Sequence, residues 1–153
     1  MAHISSMDAA EFAKYDDELN GILKVFHTSV FDLIHIAESV DPRNYYVTWV
    51  KQQIDIFRKI DKENIIKRMK DKLWENHKQI MNRDLDFFKQ DKHITKYIKN
   101  DENREFMFSV INMLKKKVDI LSPEELEAIW DVLERILSSC IDYKRLVRDY
   151  DTE

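Results

Sequence analysis

One glycine and two prolines in 153 residues leave this chain almost without the means to reverse direction tightly. Hairpins and tight turns draw on Gly for positive φ and on Pro for a fixed φ, so a sheet-rich or loop-rich fold is excluded. Helix remains. Apolar residues make up 44% of the chain, enough for a core, and charged residues 35%, as solvated helix faces require. No alternating apolar and polar run competes with the helical period. No apolar stretch reaches the length of a membrane span, and no signal-peptide pattern precedes a small-residue cleavage site. The expected fold is all-α, a bundle-like single domain of five or six helices with long N-terminal and C-terminal helices. That domain covers residues 8–150. Residues 1–7 are read as a flexible N-terminus, in part expression-derived, and carry no functional argument.

Phe12, Tyr15, Leu19, Ile22, Phe26, Val30, Leu33 and Ala37 recur every three or four positions, which predicts one helix from Asp8 to Val40. At about 1.5 Å per residue it runs roughly 50 Å. Gly21 inside it is a candidate bend. Pro42 turns Asp41 away from helical geometry and ends the helix. Asp41 is then the expected cap of the second helix, with Pro42 at its first position. Tyr46, Trp49, Val50, Ile54, Phe57 and Ile60 are the expected buried side of that helix. "DKEN" (Asp61 to Asn64) reads as a turn capped by Asp61 or as a continuation. Ile66, Met69, Leu73, His77 and Ile80 carry the period through a third segment. The pattern weakens from Asp84 to Asn103. Phe106, Met107, Val110, Ile111, Leu114 and Val118 mark a further helix.

"ILSPEELEAIW" (Ile120 to Trp130) is the sharpest helix start in the chain. Ser122 is the expected N-cap, Pro123 takes the first helical position, and Glu125 completes a capping box. Leu121 and Leu126 are spaced for a hydrophobic staple. Glu124, Glu125 and Glu127 set negative charge at the positive end of the helix dipole. The apolar stripe behind them holds Leu126, Ile129, Trp130, Leu133, Ile136, Leu137, Cys140 and Val147.

"IMNRDLDFFKQD" (Ile80 to Asp91) followed by "LSPEELEAIWDVLERIL" (Leu121 to Leu137) resembles uncharacterised helical proteins of nucleocytoplasmic large (giant) DNA viruses. The residues that carry the likeness are Asp84, Phe87, Phe88, Ser122, Ile129, Trp130 and Leu133, within roughly residues 45–145. The chain departs from the pattern after the Trp, where Asp131 and Val132 replace a Lys-Tyr pair. The resemblance implies a helical fold and no known activity or catalytic residues.

Charge is unevenly spread. Residues 1–41 carry 2 basic and 8 acidic side chains, residues 42–118 carry 19 and 11, and residues 119–153 carry 4 and 10. A basic centre between acidic ends is expected to pack helix against helix, its charge runs being solvated faces.

Chemical motifs are scarce. No Glu-x-x-His occurs, so a di-iron bundle site is not expected. His27 and His35 are eight residues apart on the first helix, and His77 reads as a boundary residue with a satisfied hydrogen bond. Cys140 lies on an apolar stripe, where Cys behaves as a small hydrophobe. There is no nucleophile elbow, and one Gly rules out a Gly-rich phosphate loop. Catalytic residues, metal ligands and cofactors are therefore not expected.

The expected function is non-enzymatic: a helical protein–protein interaction or scaffold protein, binding another protein or itself, intracellular, in host cytoplasm or virion if viral. Phe108 falls outside its helix's apolar arc, and the adjacent Phe87 and Phe88 diverge on a helix, so these three rings are the expected partner-binding residues. The alternative is a nucleic-acid-associated protein using Lys67, Arg68, Lys70, Lys72, Lys78 and Arg83, with Trp74 among them.

Overall fold

A computed structural model describes residues 8–84, 114 and 117–151. They form α1 (Ala9–Val40), α2 (Tyr45–Ile60), α3 (Asn64–Glu75), α4 (His77–Met81), a 3-10 turn (Val118–Ile120) and α5 (Pro123–Asp151), with no strand among the described residues. The all-α reading and the long helices at both ends hold.

α1, α2 and α5 start on side-chain caps, while α3 and α4 start without one. Asp8 accepts a hydrogen bond from the Glu11 amide at 2.8 Å and caps α1. Asp41 does not cap α2 as expected. Its amide donates to Ala37 O at 3.0 Å, which makes it the C-cap of α1. Pro42 and Arg43 form a turn, and Asn44 caps α2 by accepting from the Tyr46 amide at 3.1 Å. Asp61 makes a turn rather than a continuation, accepting from the Glu63 amide at 3.0 Å. At the last junction Ser122 and Glu125 form the full capping box: the Glu125 amide donates to Ser122 Oγ at 3.1 Å, and the Ser122 amide to Glu125 Oε1 at 2.9 Å. Leu121 and Leu126 both pack against the core, as a staple requires.

Side-chain contacts fix the topology. Tyr15 of α1 meets Tyr150 of α5 edge to face at 5.0 Å, while Asp32 pairs with Arg135 at 3.1 Å. The start of α1 therefore lies beside the end of α5, and the two run antiparallel. Glu38 pairs with Lys51, and Asp16 with Lys62 just beyond α2, so α2 runs back along α1. Tyr143 donates to Glu63 at 2.7 Å, and Arg83 reaches Glu134 at 3.2 Å, so α3 and α4 together run against α5. The arrangement is up-down-up-down, with α3 and α4 sharing the third leg.

That leg breaks at Asn76, a buried residue whose amide group donates to Lys72 O. The break exposes the Trp74 carbonyl, and His77 Nδ1 donates to it at 2.6 Å. A carbonyl can only accept, so Nδ1 carries the proton.

Among the described residues the core lies between these four legs and takes in Leu114 as well. Phe26, Leu33 and Ile34 of α1, Val50 of α2, Ile66 and Leu73 of α3, and Ile129, Leu133 and Ile136 of α5 are essentially inaccessible. Full burial of such side chains is worth about 1.5–3 kcal/mol each before entropy is counted. On α2 the buried set differs from the expected one. Val47, Val50 and Ile54 face inward, Phe57 is half-buried, and Tyr46, Trp49 and Ile60 are exposed.

Candidate functional site

The 16-residue helix α2 carries two apolar arcs. At about 100° per residue, Val47, Val50 and Ile54 fall within one sector of about 60°. Tyr45, Trp49, Ile56 and Ile60 fall within a second sector of similar width on the far side. The first packs against α1 and α3. The second faces outward, with relative exposures of 84%, 40%, 49% and 76%. Tyr46 borders it, stacked on Trp49 at 5.4 Å with the rings 29° apart. The strip runs about 22 Å along the helix.

Of the cations on α2, Lys51 and Arg58 turn to α1, where Lys51 pairs with Glu38 and Arg58 lies over Phe31. Lys59 is exposed beside the strip, and Arg43 lies exposed just before the helix. Asp55 is held by Lys59 at 3.0 Å and by Arg58 at 2.6 Å, and these hydrogen bonds keep its carboxyl below the ordinary carboxylate range. Contiguous exposed apolar surface on a small domain marks an interaction site more often than chance burial would leave it.

The six basic residues expected to form a nucleic-acid stripe are not gathered on one face. With Ile66, Met69 and Leu73 turned inward, Lys67 and Lys70 lie on one flank of α3, Arg68 and Lys72 on the other. Asp71 projects outward between them and pairs with Lys70 at 3.3 Å and with Lys144 at 3.6 Å. Arg68 sits over the Phe57 ring, 5.6 Å from its centre. Lys78 is exposed on α4.

Arg83 has a different task. Asp84 N donates to Gln79 O at 2.9 Å and Arg83 N to Ile80 O at 3.1 Å, the paired bonds that close a helix with one left-handed residue. Arg83 is that residue, at φ 52°, where Gly is the usual occupant. Its guanidinium spans Glu127, Asp131 and Glu134 on successive turns of α5, with Asp131 at 2.6 Å. Hydrogen bonds to these carboxylates, Glu134 foremost, raise its pKa further. The side chain ties the end of α4 to α5.

Phe87, Phe88 and Phe108, the three rings expected to bind a partner, lie outside the described residues. The remaining chemical candidates are embedded. Cys140 is buried and unbridged, and desolvation pushes its thiol up to about 12, the state of a packed hydrophobe rather than a nucleophile. His35 turns to Glu38 at 3.4 Å. His77 lies flat on Trp74, with ring centres 4.0 Å apart. Among the described residues no three His, Cys, Asp or Glu side chains are placed to hold a metal ion. No helix among them is long and apolar enough to cross a membrane.

No protein family, curated protein or solved structure matches the chain.

Proposed function

We propose that the protein is a non-enzymatic helical interaction module that docks an acidic amphipathic helix of another protein on the outer arc of α2. The observation that carries this reading is the exposed strip Tyr45, Trp49, Ile56 and Ile60 on a helix whose charged residues are mostly cations. Two arguments select the partner. One helix face about 22 Å long and about 10 Å wide falls well short of the ~800 Å² that each member of a stable dimer buries. It suits a single amphipathic helix, which anchors by residues spaced three and four apart. Exposed Lys59 beside the arc and exposed Arg43 just before the helix favour acidic flanks on that partner and speed encounter. A viral origin, and action in host cytoplasm or virion, belong to this reading through the resemblance drawn above.

The test is fluorescence anisotropy with a labelled Leu/Glu amphipathic peptide and its Leu/Lys counterpart. Saturable binding of the acidic peptide, lost in Ile56→Glu/Ile60→Glu at unchanged melting temperature, supports the reading. Equal binding of both peptides, or none, ends it. A dimer in sedimentation that dissociates in the same variant assigns the face to a second copy.

A second reading has one observation in its favour. Exposed Trp74 borders a cavity of about 360 Å³ with Lys144, Arg145 and Arg148, and Lys144 Nζ lies 5.7 Å from the indole centre. Aromatic rings among cations are what single-stranded nucleic acid uses. Binding of an unstructured oligonucleotide that persists at physiological salt and fails in Trp74→Ala would favour it.

A further inference from the structure

Between α1 and the far end of α2 lies a crevice of about 410 Å³. Its polar wall is Lys24, His27 and Thr28 from α1 with Arg58 and Lys62 opposite, and its apolar floor is Leu23 and Phe31. The α1 residues line it because spacings of three, four and seven bring side chains to one helix face. The volume is in the range of sites for small molecules, about 300–1,000 Å³.

The charge arrangement is directional. Three cations line the crevice and no carboxylate does. The acids that balance them stand outside the lining: Asp16 holds Lys62 Nζ at 2.8 Å, and Asp55 holds Arg58 at 2.6 Å. These bonds fix two of the cations in place. The Arg58 guanidinium also lies over the Phe31 ring, 5.3 Å from its centre, which limits its swing. Lys24 has no ion-pair partner among the described residues, so the crevice keeps an excess positive charge.

His27 adds an independent observation. Its Nε2 is buried and has no hydrogen-bond partner among the described residues. Burial first, and the charge of Arg58 second, hold its pKa below 6.5. An anion in the crevice would offset the effect of Arg58 on the imidazole. Lysines, a guanidinium and a hydroxyl around one space are the donor set of a phosphate head, and Leu23 with Phe31 would cover an apolar body.

We propose that this crevice binds a small phosphomonoester whose phosphate sits among Lys24, Arg58 and Lys62, beside His27, and whose apolar body packs on Phe31. It stands apart from the α2 docking reading, because Ile56 and Ile60 lie on the outer arc and Arg58 faces α1.

The experiment follows the His27 ring protons by NMR, assigned with His27→Gln, during titration with inorganic phosphate, phenyl phosphate and sodium chloride at matched ionic strength. A saturable shift with both phosphates and not with chloride is expected, with the His27 titration midpoint moving up. Phenyl phosphate should bind the tighter of the two. Lys24→Gln/Lys62→Gln should weaken binding by about ten-fold or more, at the strength of one charged hydrogen bond, with the helical circular dichroism spectrum retained. If the double variant fails to fold, Lys24→Gln alone carries the comparison, since that side chain is exposed and has no ion pair among the described residues. Identical responses to phosphate and chloride, or undiminished binding in the lysine variants, overturn the proposal.

Discussion

Replacing Ser122 by Ala removes one defined bond at the start of the longest core contact of the bundle. The Glu125 amide donates to Ser122 Oγ at 3.1 Å in a half-buried setting, and Ala leaves that amide without its acceptor. The return bond, from the Ser122 amide to Glu125 Oε1 at 2.9 Å, uses backbone and survives the change. The loss is therefore one cap bond, about 1 kcal/mol. With a urea dependence of about 2 kcal/mol per molar, the midpoint should fall by about 0.5 M. Ser122→Gly is the discriminating control. Glycine lets water reach the orphan amide and should cost a few tenths of a kcal/mol at most. Glu125→Ala should cost a separable increment by removing the other bond. An unchanged midpoint in Ser122→Ala, or a Gly variant weaker than the Ala variant, would refute the capping argument.

Leu133 is wholly buried in the middle of α5, and Leu133→Ala should lose about 2–5 kcal/mol by thermal or urea unfolding. Gly21 sits mid-helix with nothing within 4 Å of an added Cβ, so Gly21→Ala should raise stability by about 0.5–1 kcal/mol in the same titrations. The pKa of His27 is depressed in the fold, so the unfolded chain binds more protons at mildly acidic pH. Stability from this group is present above its ordinary value of 6.5 and is lost as pH falls through the lower folded value. Urea midpoints between pH 7.5 and 5.5 should fall less steeply in His27→Gln than in the parent.

What could be read in advance was local. The extent of α1 follows from one unbroken stripe, and the Ser122 box from four consecutive positions of known chemistry. Asp41 against Asn44 was decided by a turn that Pro42 and Arg43 form together, beyond what a single cap preference contains. On α2 two apolar arcs share the same period, and periodicity alone does not say which one packs. The structure chose Val47, Val50 and Ile54, compact side chains that fit between α1 and α3, and left the bulkier Tyr45 and Trp49 outside. The second arc was visible as angles, yet aromatic bulk suggested core. Arg83 looked like one more cation of a basic segment. Its carboxylates lie on α5, 44 to 51 residues later in the chain, and no local pattern announces them. The same holds for the crevice at His27, whose two walls meet through folding.

α5 touches both α1 and the α3–α4 leg, so it closes the ring from two sides. A chain made from its N-terminus reaches this helix after the other described legs. Until then the faces of α1 and α3 that pack on α5 lack its cover. At about 5–20 residues per second, synthesis of the 29 residues of α5 takes seconds, far longer than the microseconds in which helices form. Over that interval the first three legs stand without the cover of α5. Their hazard in the cell is set by this interval before closure, and a nascent-chain chaperone would find its natural substrate there.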